Sequence, residues 1–113
     1  FLGNMDCYVN IVGGLRADEP ASDLAVALSI LSSLKDVVID SSTIVFGEIG
    51  LGGEIRTINN CEKRIRECQR LGFKRCIVPR HNLKNLSKED FGDIEIFGVR
   101  NIREAFECAV DNV

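Results

Sequence analysis

The 113-residue chain has no tryptophan, one histidine, one methionine and one tyrosine, and aromatic residues make up only 6% of it. With so few rings, nothing suggests the aromatic platform on which single-stranded nucleic acids stack. His81, the one histidine, has no second histidine or close cysteine pair with which to complete a tetrahedral metal set. A solvated loop residue is the expectation for it. No G-x-x-x-x-G-K-[ST] run occurs, and the glycines from Gly47 to Gly53 lead into a strand pattern instead of a helix N-terminus. The oriented amides of a phosphate cradle are therefore not expected. No stretch approaches eighteen uninterrupted apolar residues, so a membrane-spanning helix is excluded and no membrane partner is expected. The opening Phe1-Leu2-Gly3-Asn4 has neither the basic region nor the apolar core of a signal peptide. It also lacks an initiating methionine, from which we expect a fragment of a longer chain, with residues 1–113 forming one domain.

Cysteine is present, but without any C-x-x-C pair. Cys7, Cys61, Cys68, Cys76 and Cys108 fall mostly in phase with apolar neighbours, where a thiol behaves as a small hydrophobe. Free buried thiols in a reducing cytoplasm are the expectation, with disulfides or metal as the alternatives. The net charge of -3 hides a strong asymmetry. Between Cys61 and Lys88 nine lysines and arginines face only Glu62 and Glu67. A phosphate backbone senses such a local excess more than the total.

The hydrophobic pattern predicts alternating elements. Cys7–Val12 reads as a strand closed by Gly13-Gly14, and Asp18 and Glu19 as the cap and first turn of a helix reaching about Leu34. Leu24, Leu28, Leu31 and Leu34 form its apolar stripe. Thr43–Phe46 is a β-branched strand, and the glycines after it allow reversal into a partner strand over Glu54–Ile58. Asn59 or Asn60 would cap a second helix with Cys61, Ile65, Cys68 and Leu71 inward and Gly72 as its stop. Arg75–Val78 is a strand closed by Pro79, residues 80–90 a polar connection, Ile94–Phe97 a strand, and Asn101 the cap of a last helix.

Three groups of side chains could carry chemistry. Ser22 stands in the first helical turn, where free amides could help a developing oxyanion. Lys35 is roughly 20 Å along the same helix and cannot reach it, which leaves Lys63 as the base of a Ser22–Lys63 dyad. A helix-start serine and a surface lysine is the alternative. Glu48 and Glu54 flank the glycine turn and could pair with Arg56 or Arg16, meet another subunit, or act as acid and base. Lys63, Arg64, Arg66 and Arg70 share an outer helical arc, and Lys74, Arg75, Arg80 and Lys84 follow. Together they read either as a phosphate-contacting stripe or as a solvated face.

Five blocks carry a resemblance: Asn10–Gly14, Glu19-Pro20-Ala21 with Asp23–Ala27, Phe46–Arg56, Leu71–Arg75, and Ile77-Val78-Pro79. In order and spacing, over nearly the whole chain, they resemble the C-terminal Lon-protease-like domain of the RadA (Sms) family of bacterial DNA repair proteins. The resemblance implies an α+β fold, a mixed two-layer α/β sandwich similar to the second domain of ribosomal protein S5 and to the proteolytic domain of Lon. In Lon a catalytic serine follows a proline at the helix start, and a lysine lies early in the helix after the hairpin. The matching positions here hold Ala21 and Glu62, with Ser22 and Lys63 each one place displaced. One residue turns a helical side chain by about 100°, so a displaced pair does not inherit the geometry.

What the resemblance implies is a non-catalytic scaffold that supports oligomerisation and contacts DNA. It would belong to an ATP-dependent repair and recombination protein promoting branch migration. The expected partners are further copies in a six-membered ring, DNA, and a recombinase. ATP, magnesium and zinc would serve other domains of that protein, with no cofactor in this chain. A Ser22–Lys63 peptidase and a pure oligomerisation module without DNA contact are the alternatives.

Overall fold

The computed structural model describes residues 20–86 and 91–110. The expected strand over Cys7–Val12, Gly13-Gly14, Asp18, Glu19, Arg16 and Lys88 lie outside the described residues. A short 3-10 turn, Pro20–Ser22, leads into α1 (Asp23–Lys35), followed by β1 (Thr43–Val45), β2 (Glu48–Ile49) and β3 (Ile55–Arg56). Then come α2 (Cys61–Arg70), β4 (Arg75–Pro79), a 3-10 segment (Arg80–Asn85), β5 (Glu95–Val99) and α3 (Ile102–Ala109).

β1, β4 and β5 form a parallel sheet in the order β1-β4-β5, with Ile44 opposite Cys76 and Ile77 opposite Phe97. Cys76, Ile77 and Val78 are each fully buried. Such an unbroken apolar run marks a parallel strand covered on both faces. Side chains of a strand alternate between faces, and the core divides accordingly. Ile44, Cys76 and Val78 pack with Cys61, Ile65 and Cys68 of α2. Val45, Ile77 and Val99 pack with Leu24 and Leu28 of α1 and with Ala105 and Ala109 of α3. Helices thus lie on both sides of the sheet, where a two-layer sandwich was expected. The coarser class holds: a mixed α/β structure with a parallel sheet, compatible with α+β.

The glycine turn does close a hairpin, but β2 is the partner of β3, with Glu48 opposite Arg56. β1 instead joins β4, because Ile44 and Val45 are apolar on both faces and suit a central layer. α1 ends where Asp36 enters the left-handed region at φ 53 and its N–H bonds to the Ser32 and Ser33 carbonyls. Leu24 and Leu28 are buried, whereas Leu34 is 73% exposed. The stripe expected from Leu24 to Leu34 is thus buried over its first half and open to solvent at its end. Leu71, expected inward, is half exposed just beyond α2. Gly72 adopts φ 96 after α2, as a C-terminal stop requires. Asn101 caps α3, its side chain accepting from the Glu104 N–H at 2.9 Å. Asn60 stands at the start of α2 in the left-handed region with no side-chain capping bond.

Candidate functional site

The hairpin docks on the start of α1. Gly47 donates to the Ala21 carbonyl at 2.9 Å and accepts from the Leu24 N–H at 3.0 Å, and the Asp23 carboxylate accepts from the Ile49 N–H at 3.1 Å. Gly47 is needed for this approach: a Cβ there would stand 3.0 Å from Leu24 Cδ2 and 3.2 Å from Ile55 Cγ2. Where the hairpin, the start of α1 and the loop before α2 meet, a cavity of about 650 Å³ opens. Pro20, Ala21, Glu48, Thr57, Ile58 and Arg64 are among its lining residues.

At this cavity the chain presents a methyl group, that of Ala21, and no hydroxyl of its own helix start. Ser22 is wholly buried and does not line it. Glu62 and Lys63 line a second notch of about 420 Å³, with Ile58, Asn60, Cys61, Asn82 and Leu86. From α2 it is Arg64 that faces the Ala21 cavity. The Arg64 guanidinium donates to the Asn59 carbonyl at 3.1 Å and lies 5.8 Å from the Phe46 ring centre. Glu48 and Glu54 both approach Arg56, at 3.7 and 3.2 Å. Hydrogen bonding to its own backbone, and then to Arg56, holds the Glu54 carboxyl below its ordinary range.

The basic segment does not form one stripe. Arg66 pairs with Glu62 at 3.7 Å and lies over the Phe91 ring. Arg70 makes bonds of 3.2 and 2.6 Å to the Glu67 carboxylate. Arg75 reaches back to the Cys108 carbonyl at 2.7 Å and to Asp40 at 3.5 Å, over the Phe97 ring at 5.3 Å. It therefore staples β4 to α3. Arg80 lines a third cavity with Glu104 and Glu107. Lys63, Lys74 and Lys84 are exposed. Lys74 precedes β4 and Lys84 follows it, so about 17 Å of strand separates those ends.

Asn82 was not anticipated. Its side chain accepts from the Ile58 N–H at 3.0 Å and donates to the Ile58 carbonyl at 2.9 Å, although the residue is only 5% exposed. An asparagine in a polar connection carries no local signal for such a long-range bond.

Cys61 and Cys68 are buried thiols, pushed up to about 11 and about 12 by loss of solvation. Cys76 is raised well above the ordinary 9.0 for the same reason. Cys108 is half-buried and free. Cys7 lies outside the described residues. Among the described residues no cluster of histidine, cysteine and carboxylate side chains could hold a metal ion. No helix among them is long and apolar enough to cross a membrane.

Residues 4–82 match the family model described as subunit ChlI of Mg-chelatase. The chain is also similar to proteins named DNA repair protein RadA. It is 41% identical over 109 residues to that of Bacillus subtilis (strain 168), covering 96% of this chain and 23% of the relative. For Aquifex aeolicus (strain VF5) the identity is 41% over 107 residues, covering 95% and 23%. For Escherichia coli (strain K12) it is 39% over 110 residues, covering 97% and 23%. The chain therefore spans about a quarter of the length of these relatives.

Proposed function

We propose, for a chain that belongs to the family described as subunit ChlI of Mg-chelatase, the role of a non-catalytic scaffold within a RadA-type DNA repair protein. In this reading it supports self-association and contacts DNA. The observation that carries it is similarity to proteins named DNA repair protein RadA along 96% of the chain. The fold it would share with Lon proteolytic domains and with the second domain of ribosomal protein S5 belongs to the same reading. Absence of peptidase chemistry is supported by Ala21 at the cavity and by Glu62 and Lys63 facing a different notch. With Ser22 buried away from the cavity and Lys63 in another notch, attack by that serine and proton transfer to that lysine have no common geometry.

The whole protein in this reading is a ring of six copies that uses ATP with magnesium, and zinc, in its other domains. It drives branch migration alongside a recombinase in the cytoplasm. DNA contact by this domain is tested by titrating the protein with single-stranded and duplex DNA at several salt concentrations, with its mass in solution measured on the same samples. Binding that weakens steeply with salt is expected. A folded, self-associated protein with no DNA affinity would reduce the role to assembly.

A further inference from the structure

We propose that the notch beside Asn82 is a seat for one unstacked nucleotide of a DNA single strand, with Lys63 and Lys84 holding the flanking phosphates. This rests on the DNA-contacting reading above and names the place and form of the DNA. The notch, about 420 Å³, combines apolar groups of Ile58, Cys61 and Leu86 with the polar side chains of Asn60 and Asn82. That volume is in the range of small-ligand sites. It opens beyond the carboxyl end of β4, between the segment that follows that strand and the start of α2. In open α/β sheets this is the end at which ligands are bound.

One lysine lines the notch, and a second is exposed on the segment that borders it. Lys63 lines the notch from α2. Lys84 lies in the 3-10 segment, two residues from both Asn82 and Leu86, which line it too. A 3-10 helix repeats every three residues, so Arg80 and Leu83 share a face, and both approach Gly98 of β5. Asn82 is on a second face, bonded to Ile58. Lys84 falls with His81 on the third, and both are exposed. Neither Lys63 nor Lys84 pairs with a carboxylate of the described residues. Glu62, which also lines the notch, is 3.7 Å from Arg66.

The two hydrogen bonds from Asn82 to Ile58 tie the segment that carries Lys84 to the loop that leads into α2, which carries Lys63. Ile58, Cys61 and Leu86 offer a base apolar contact and Asn60 offers it a carboxamide, and only a base outside a stacked duplex can enter. Single-stranded DNA is therefore the ligand that matches both the wall and the rim.

The experiment is fluorescence anisotropy of the full chain with oligo-dT and with a duplex of equal length, from low to high salt. The proteins compared are wild type, Lys63→Ala/Lys84→Ala, and the control Arg70→Ala/Lys74→Ala. All four positions are exposed, and thermal unfolding verifies that each variant is folded. Removing two single-strand phosphate contacts should lower the slope of log affinity against log salt by about 1.4, with the control unchanged. Equal losses in both variants, or a duplex bound as tightly as oligo-dT, would overturn the seat while leaving DNA contact in place. Wild type that binds neither DNA would overturn the broader reading as well.

Discussion

The carboxamide of Asn82 satisfies both backbone groups of Ile58, taking its N–H at 3.0 Å and its carbonyl at 2.9 Å. One side chain thereby does the work of a paired strand, joining the segment after β4 to the loop that starts α2. Ile58 is only 8% exposed and lines both the Ala21 cavity and the notch. The shape of both openings depends on this pair of bonds.

Asn82→Ala should therefore leave a buried donor and a buried acceptor without partners, a loss on the order of 2 kcal/mol. Asn82→Asp retains the acceptor and loses the donor, so it should also destabilise. Urea unfolding measures both. A midpoint for Asn82→Ala equal to wild type would show that water replaces the side chain at no cost.

Asp40 gives the fold an acid sensitivity of definite sign. Its carboxylate accepts from the Ser42 N–H at 3.1 Å, from the Ser42 and Thr43 hydroxyls, and from Arg75. The Ser42 backbone bond is the foremost cause holding its pKa below the ordinary 3.8. The depressed folded value means that Asp40 stabilises the fold above 3.8, and that this contribution fades as pH falls through the folded value. Asp40→Asn should be less stable than wild type near neutrality, with the gap closing in acid. A gap constant down to about pH 2 would contradict this account.

Thiol chemistry should separate the cysteines by burial. A thiol raised to about 11 or 12, as at Cys61 and Cys68, holds almost no thiolate at neutral pH. Among the cysteines of the described residues, iodoacetamide on the native protein should modify Cys108 first, and Cys61, Cys68 and Cys76 only after denaturant opens the core. Mass spectrometry of peptides resolves the order. Fast native labelling of Cys76, which is fully buried, would mean that the sheet opens readily.

Gly47→Ala should loosen the hairpin from α1. The added methyl carbon would meet Leu24 at 3.0 Å and Ile55 at 3.2 Å, an overpacking worth about 1–3 kcal/mol. Calorimetry should show a lower melting temperature. Unchanged melting would mean that the Leu24 side chain can turn aside within the core.

Several features were legible in the residues themselves. Gly72 at a positive φ, Asn101 as the cap of α3, the glycine turn and the extended run closed by Pro79 each depend on neighbours within a few positions. Local sterics and hydrogen bonds suffice for such features.

Long-range pairing was settled only by the tertiary structure. An apolar strand such as Thr43–Val45 can join either neighbour, and packing on both faces assigned it to β4 rather than to the hairpin. The charge of the segment from Cys61 to Lys88 was visible in its composition, but the fate of each cation was not. Folding turned Arg66 to Glu62, Arg70 to Glu67 and Arg75 to Asp40 and the Cys108 carbonyl. It left Lys63, Lys74 and Lys84 in solvent. A side chain's charge is written in one residue, whereas its partner is chosen by elements that meet only when the chain is folded.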